Sequence, residues 1–169
     1  MNSTFEIQAI GQVAKKDETT AIELEKKFIP GLEKIEGFSH LQVIWWGHLT
    51  DQPEDRQRLI TDNLFKKAPD KVGIFSTRSP ARPNPILLST IKVVKIDAQK
   101  GIIYTPFIDA EEGSPVLDIK PYFPMERIKH CKVPEWFAHW PEWAEDALDF
   151  DWKKEINFPQ DPDQITPRK

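Results

Sequence analysis

The segment from Ser76 to Pro85 carries two arginines and an asparagine on a backbone that three prolines stiffen, S-T-R-S-P-A-R-P-N-P. Each proline fixes its own φ and shifts the residue before it toward an extended conformation, so the segment can form neither a helix nor the middle of a sheet. Arg78, Arg82 and Asn84 are therefore held at fixed spacing. Such groups can bind carboxylate, phosphate or adenine edges with little loss of conformational entropy. A rigid loop whose arginines form salt bridges to nearby carboxylates is the structural alternative.

Titratable side chains also share one face of a strand predicted within residues 113–122, G-S-P-V-L-D-I-K-P-Y. Alternation along that strand places Asp118, Lys120 and Tyr122 on the same side. These groups could transfer a proton at a site, or form an ion pair covered by a tyrosine. His48, at the end of another predicted strand, could contact a ligand or carry a proton, and a hydrogen-bonded structural histidine fits the sequence equally well.

Several common kinds of site are missing from the sequence. No two of the seven glycines form a G-x-G or G-x-x-x-x-G-K-[ST] pattern, so neither a Rossmann-type cofactor site nor a P-loop is expected. The four histidines and Cys131 lack metal-ligand spacing, and no G-x-S-x-G elbow is present. We therefore expect no metal site, and hydrolase and nucleoside-triphosphatase functions lose their usual support.

The elements that must position these residues are predicted to be mostly strands. Extended stretches are predicted at residues 5–13, 19–24, 40–48, 72–76, 86–96, 102–108 and 114–120, with hairpin turns at 15–18 and 97–101. Within 40–48, alternation places Leu41, Val43 and Trp45 on one face, and the second face is half polar, with His40, Gln42, Ile44, Trp46 and His48. Short helical turns are predicted at residues 28–36 and 125–132, a helix near 141–149 and mostly loop over 51–70. Many short strands and few helices indicate a mainly β protein, an antiparallel β-barrel with short peripheral helices and a C-terminal helix and tail.

Length and composition predict one domain over residues 1–150 and a disordered tail over 151–169. No apolar run approaches the roughly 20 residues of a membrane span, the N-terminus lacks signal-peptide features, and one cysteine agrees with a reducing compartment. We therefore expect a cytoplasmic protein with no membrane partner.

Charge and aromatic residues are unevenly spread. The net charge of −4 disfavours unspecific nucleic-acid binding, but basic residues cluster over 66–82 and acidic residues over 135–163, so a local basic face is possible. The helical spacing of Trp136, Trp140 and Trp143 predicts packing on the barrel or on a second subunit, with base stacking as the lesser alternative.

Five motifs together resemble the TsaA/TrmO (YaeB-like) family, and the resemblance covers a motif core at about residues 5–124. They are I-G-Q-V at Ile10, G-F-S-H at Gly37, G-H at Gly47, V-G-I-F-S-T-R-S-P-A-R-P-N-P-I at Val72 and D-I-K-P-Y at Asp118. The resemblance implies a β-barrel methyltransferase that uses S-adenosyl-L-methionine, and a homodimer. It implies as substrate a tRNA with threonylcarbamoyladenosine beside the anticodon, whose exocyclic nitrogen receives the methyl group.

The resemblance also implies roles for individual residues. Carried over by motif, Asp118, His48 and Tyr122 are the catalytic candidates. The cofactor-binding candidates are His48, Leu49, Arg78, Arg82, Asn84, Leu88, Phe107, Ile108, Asp109 and Lys120. Among these, Arg78 or Arg82 could hold the cofactor's carboxylate in a bidentate pair.

Three departures from the family pattern leave the methyl acceptor open. The N-terminal P-x-Q element is missing, Leu87 replaces the glycine of R-P-N-P-I-G, and a Trp-rich segment stands where longer bacterial members have a C-terminal domain. One alternative is transfer of a methyl or another group from S-adenosylmethionine to a small molecule, which the acidic isoelectric point and the missing C-terminal domain favour. The other is a non-catalytic S-adenosylmethionine-binding module.

Overall fold

A computed structural model describes residues 4–16 and 19–157 of the chain. The backbone divides into two compact units: unit 1 comprises Met1–Gln57 and Ser79–Arg127, and unit 2 comprises Arg58–Arg78 and Ile128–Lys169. The predicted single domain over 1–150 stays a prediction, and most of the predicted tail, residues 158–169, lies outside the described residues.

The described residues form nine strands: β1 Gly11–Lys16, β2 Thr19–Leu24, β3 His40–Trp46, β4 Ile60–Asp62, β5 Lys71–Gly73, β6 Ile86–Lys92, β7 Lys95–Asp97, β8 Ile102–Thr105 and β9 Pro115–Pro121. The helical elements are one α-helical turn, α1 Pro53–Arg56, and the 3₁₀ turns Lys26–Leu32, His48–Thr50, Ile74–Ser76, Pro124–Glu126, Glu135–Phe137, Asp146–Leu148 and Trp152–Lys154. None of the helices in the described part of the chain has the length and hydropathy to cross a lipid bilayer. The mainly β prediction is confirmed.

Unit 1 contains a seven-stranded antiparallel sheet in the order β6-β3-β9-β1-β2-β8-β7. The edge strands β6 and β7 are joined by two residues, so Lys92 and Lys95 lie at most about 11 Å apart along the chain. A flat sheet of seven strands would hold its edges roughly 29 Å apart. The sheet must therefore curl strongly, as the predicted barrel requires, although within the described residues no ladder pairs β6 with β7.

The core of unit 1 lies on the inner face of this curled sheet. Along β3 the buried residues Leu41, Val43 and Trp45 alternate with partly exposed ones, as the sequence predicts. They pack with buried side chains of the neighbouring strands and turns, which are Val13, Ile22, Leu32, Leu87, Ile91, Ile103, Ile108 and Val116. Burial of each such side chain contributes about 1.5–3 kcal/mol.

Several details of the strands depart from the predicted pattern. The first strand begins at Gly11 rather than at residue 5, and the strand predicted over 72–76 ends at Gly73, where a 3₁₀ turn follows. The register between β3 and β9 shifts after Ile44, which lies opposite Asp118, so that Trp45 lies opposite Val116 and Leu117 is the extra residue of a bulge. The strand predicted over 86–96 is also two strands. It breaks because β6 pairs with β3, whereas β7 turns away to pair with β8.

Unit 2 is built on the β4–β5 hairpin and an aromatic cluster. The ring of Phe65 lies 4.9 Å from that of Phe137 and 5.7 Å from that of Trp140, and Trp140 packs edge-on against Trp152 at 5.0 Å. An isolated bridge pairs Phe65 with Ile156. The C-terminal segment is therefore held by aromatic packing within its own unit.

The predicted helix near residues 141–149 is wrong. The segment forms only the 3₁₀ turn Asp146–Leu148, and Pro141 interrupts any helix that would continue from the turn before it. A short segment gains little from helical propensity alone, and packing of the aromatic rings decides its path. Trp140 packs in the cluster, while Trp143 is 53% exposed, so the three tryptophans do not form one helical stripe.

Candidate functional site

The outer face of β6, β3 and β9 carries several of the predicted site residues in register. Ile44 of β3 lies opposite Leu88 on one side and Asp118 on the other, and Gln42 lies opposite Lys120. Residues directly opposed in an antiparallel pair share a face. Leu88, Asp118 and Lys120 are therefore on the face opposite to the core.

Asp118 and Lys120 form an ion pair on this face. The Lys120 Nζ lies 2.6 Å from Asp118 Oδ2, and the backbone N–H of Ile119 donates to Asp118 Oδ1 at 2.9 Å. Both side chains are about half exposed, so the pair contributes at most about 1 kcal/mol to stability. Each carboxylate oxygen keeps acceptor capacity for one more donor. The carboxylate is thus oriented, yet still able to accept a proton from a ligand.

Tyr122 follows directly after the end of β9. Its backbone N–H donates to the carbonyl oxygen of His40 at 3.2 Å, and the two rings meet edge to face with centroids 6.4 Å apart. The ring is partly buried. Tyr122 therefore lies beyond Lys120 along β9, at the far end of the face from Leu88.

His48 begins the 3₁₀ turn that follows β3. Its Nδ1 lies 3.3 Å from the hydroxyl oxygen of Ser114, which is only 1% exposed. If Nδ1 carries the proton and donates to Ser114, then Nε2 has a free lone pair and can act as a base. Leu49, the next residue, is 65% exposed.

Two carbonyl oxygens of the Arg/Pro segment accept hydrogen bonds, one from the backbone before the turn at His48 and one from the side chain of Arg56 in α1. The N–H of Gly47 donates to the Pro85 carbonyl at 2.8 Å, and Arg56 Nε donates to the Pro83 carbonyl at 3.0 Å. Gly47 is also closely surrounded, because an added Cβ would lie 3.2 Å from the Cβ of Pro80, so one of the two would have to move by a few tenths of an ångström. The segment is thus rigid, as its prolines predict.

The polar residues of this segment differ in their surroundings. Arg82 is partly buried, whereas Asn84 is exposed and its carbonyl accepts the N–H of Ile86 at 2.7 Å. Arg78 is exposed and belongs to unit 2, where it follows Thr77, whose hydroxyl donates to the Ile74 carbonyl at 2.8 Å. The joint action of these residues at one site stays a prediction.

A small cavity lies beside the loop that follows β8. Its volume is about 240 Å³, below the roughly 300–1,000 Å³ of most ligand pockets, so it can hold only part of a cofactor. The loop residues differ in exposure: Phe107 is 59% exposed, whereas Ile108 is buried in the core. The cavity is lined by Val13, Lys15, Thr20, Phe107, Ile108, Asp109, Ala110 and Glu111.

Two groups of functional candidates were not predicted from the sequence. One is Ser114, whose pairing with His48 spans 66 residues and leaves no sequence signal. The other is a chain of contacts from β3 to the Arg/Pro segment: Trp46 Nε1 donates to Asp51 at 2.9 Å, and Asp51 lies 3.5 Å from Arg56. Alternation along β3 places Trp46 on the half-polar face of the strand, and this pattern is the sequence signal from which its role could have been inferred.

Comparison with known proteins shows what the chain is similar to. A sequence model of the tRNA-methyltransferase O N-terminal domain matches residues 3–126. A probable S-adenosyl-L-methionine-binding protein of Pyrococcus horikoshii is 38% identical over 116 residues, which cover 69% of this chain and 81% of that protein. A tRNA (adenine(37)-N6)-methyltransferase of Eikenella corrodens is 39% identical over 88 residues, which cover 52% of this chain and 48% of that protein.

Among solved structures, the crystal structure of TrmO from Pseudomonas aeruginosa aligns with a TM-score of 0.59 at 23% identity. The alignment covers 77% of this chain and 62% of that chain. At this identity the likeness establishes the fold alone. The chain spans about half the length of the Eikenella protein and less than two thirds of the TrmO chain.

Proposed function

Because the chain belongs to the tRNA-methyltransferase O N-terminal domain family, we propose that it is a methyltransferase that uses S-adenosyl-L-methionine. We further propose that it methylates the exocyclic nitrogen of threonylcarbamoyladenosine next to the anticodon of tRNA. The observation that carries the proposal is the family match over residues 3–126, which contains every predicted site residue. Cytoplasmic location and a homodimer are part of the same proposal.

The side chains of unit 1 suit an adenine-bearing cofactor. Leu49, Leu88 and Phe107 are 65%, 41% and 59% exposed, so their apolar surfaces are accessible to a ligand. Adenine offers a flat apolar surface that such side chains can cover. Arg82 and Asn84 lie on a rigid segment and provide donors for a carboxylate or a ring nitrogen. The residues present therefore fit the group.

The protein's own task in this reaction is alignment and proton removal. S-adenosylmethionine supplies a methyl group that its positively charged sulfur already activates. Arg78 or Arg82 would hold the carboxylate end of the cofactor, and Leu88 with Phe107 would flank its adenine. With both reactants fixed, correct orientation supplies much of the rate enhancement.

Proton removal falls to one of two groups in unit 1. The nitrogen to be methylated carries a weakly acidic N–H, so a base within hydrogen-bond reach assists the transfer. Asp118 is favoured because its carboxylate is oriented by Lys120 and the Ile119 N–H and remains half exposed on the outer face. His48 is the second candidate, acting through Nε2 while Ser114 holds Nδ1.

The proposal is tested in two steps with the purified protein. Titration calorimetry with S-adenosylmethionine should show saturable binding, and absence of binding would refute S-adenosylmethionine as the cofactor. Transfer of a labelled methyl group is then measured on tRNA from cells with and without threonylcarbamoyladenosine. Label in the modified tRNA alone is expected. Label in neither tRNA would favour a small-molecule acceptor or a non-catalytic binding module.

A further inference from the structure

The β4–β5 hairpin and its flanks, residues 58–78, carry a charge opposite to that of the rest of the chain. We call this segment the basic arm. It holds five lysines and arginines and two aspartates, a net charge of +3, so the rest of the −4 chain carries −7. All of the arm lies in unit 2. The rest of unit 2, residues 128–169, carries a net charge of −3, so net positive charge in this unit is confined to the arm. The exposed basic groups of the arm can attract a polyanion locally.

The arm also presents an aromatic ring to solvent on a fixed turn. Phe75 is 80% exposed, whereas Ile74 beside it is fully buried. The turn is held because the Ile74 N–H donates to the Leu59 carbonyl at 2.9 Å and the Thr77 N–H donates to the Ile74 carbonyl at 3.1 Å. An exposed ring on a rigid backbone can stack on a base with little loss of entropy.

The loop of the arm is tied to the C-terminal segment. The Lys66 N–H donates to the Glu155 carbonyl at 2.9 Å, and Lys67 Nζ lies 3.1 Å from Glu155 Oε1. Lys71, on β5, is left 76% exposed, and its ion pair with Asp62 is long at 3.8 Å. Lys71 can therefore exchange that weak pair for a phosphate.

We propose that the basic arm is an RNA-binding surface, on which Lys71 contacts a phosphate and Phe75 stacks on an unpaired base. The inference rests on the proposed function, which makes a tRNA the substrate. RNA fits this surface better than a second copy of the chain does, because a two-fold contact between two such arms would bring like charges together. Sequence-tolerant recognition of single-stranded RNA combines the same two features, basic groups and an aromatic ring.

The test is fluorescence anisotropy with a labelled anticodon stem-loop RNA that lacks the base modification, titrated at several salt concentrations. Phe75→Ala should weaken binding about 5- to 150-fold, the range for loss of one stacked base. Lys71→Gln should reduce the slope of log K against log salt by about one. Phe75→Tyr should bind as the wild type does. Lys34→Gln is the matched control, since its side chain is 88% exposed in unit 1 and should leave binding unchanged.

Several outcomes would overturn the proposal. If Phe75→Ala and Lys71→Gln both bind RNA as the wild type does, the arm is not an RNA surface. Wild-type RNA affinity with a loss of dimer in light scattering would make Phe75 a subunit contact, and a selective loss of S-adenosylmethionine affinity would assign it to the cofactor. Arm-dependent RNA binding without methyl transfer would support the arm and contradict the proposed function, so the two failures are distinguishable.

Discussion

Replacing Asp118 by asparagine separates the catalytic role of its carboxylate from its structural one. The substitution removes the ion pair with Lys120 but keeps an oxygen that can accept the Ile119 N–H. Because both charged side chains are about half exposed, the free energy of unfolding should fall by at most about 1 kcal/mol. For a protein of this size that corresponds to roughly 2–4 °C in Tm.

Activity should fall much further than stability. Loss of a general base typically slows a reaction about 10²- to 10⁴-fold, so single-turnover methyl transfer by Asp118→Asn should slow by that factor. Affinity for S-adenosylmethionine, measured by calorimetry, should change little. Lys120→Gln is the control, because it breaks the same ion pair and leaves the carboxylate in place.

Two results would refute this reasoning. Full activity of Asp118→Asn would dismiss the carboxylate as the base and direct attention to His48. Equal loss of activity in Lys120→Gln, with unchanged cofactor affinity, would mean that the ion pair itself, rather than proton removal by Asp118, supports the reaction.

Three further substitutions test the site and the C-terminal segment. Gly47→Ala places a Cβ 3.2 Å from that of Pro80, so the free energy of unfolding measured by chemical denaturation should fall by about 1–3 kcal/mol and cofactor binding should weaken. Wild-type values for both stability and cofactor affinity would refute the tight contact. Arg78→Ala should weaken S-adenosylmethionine binding in calorimetry, and unchanged affinity would remove Arg78 from the site. A hydrogen bond with His139, and then one with Lys67, lowers the pKa of Glu155 below its ordinary 4.5 although burial opposes this. Because the pKa of Glu155 is lower in the folded state than in the unfolded state, its hydrogen bonds stabilise the folded protein above about pH 4.5. This stabilisation is lost as the pH falls through the folded-state pKa. Tryptophan fluorescence should therefore report loosening of the aromatic cluster in acid for the wild type. Glu155→Gln should lack this part of the pH dependence, and identical fluorescence profiles for the two proteins would contradict the role of Glu155.

Much of unit 1 could be predicted because its signals are local. Alternation along β3 identified Leu41, Val43 and Trp45 as core residues, and the prolines of the Arg/Pro segment predicted its irregular, rigid backbone. The same two-residue alternation, along β9, predicts that Asp118 and Lys120 share a face, and the two side chains form an ion pair there. The family prediction from the motifs is confirmed by the match over residues 3–126.

Other features depend on contacts between distant residues. The pairing of Ser114 with His48 depends on how the loop before β9 meets the end of β3, and no local pattern encodes that distance. The bulge at Leu117 arises from the register between two strands. In unit 2, helical spacing of the tryptophans suggested a helix, but packing of Trp140 against Phe137 and Trp152 outweighs weak local propensity.

The most direct measurement of the central claim is the identity of the methylated nucleoside. tRNA bearing threonylcarbamoyladenosine is incubated with the protein and S-adenosylmethionine, digested to nucleosides and analysed by mass spectrometry with fragmentation. We predict that threonylcarbamoyladenosine gains one methyl group on its exocyclic nitrogen, and that Asp118→Asn forms this product far more slowly. An unchanged nucleoside, with S-adenosylmethionine binding intact, would contradict the proposed reaction.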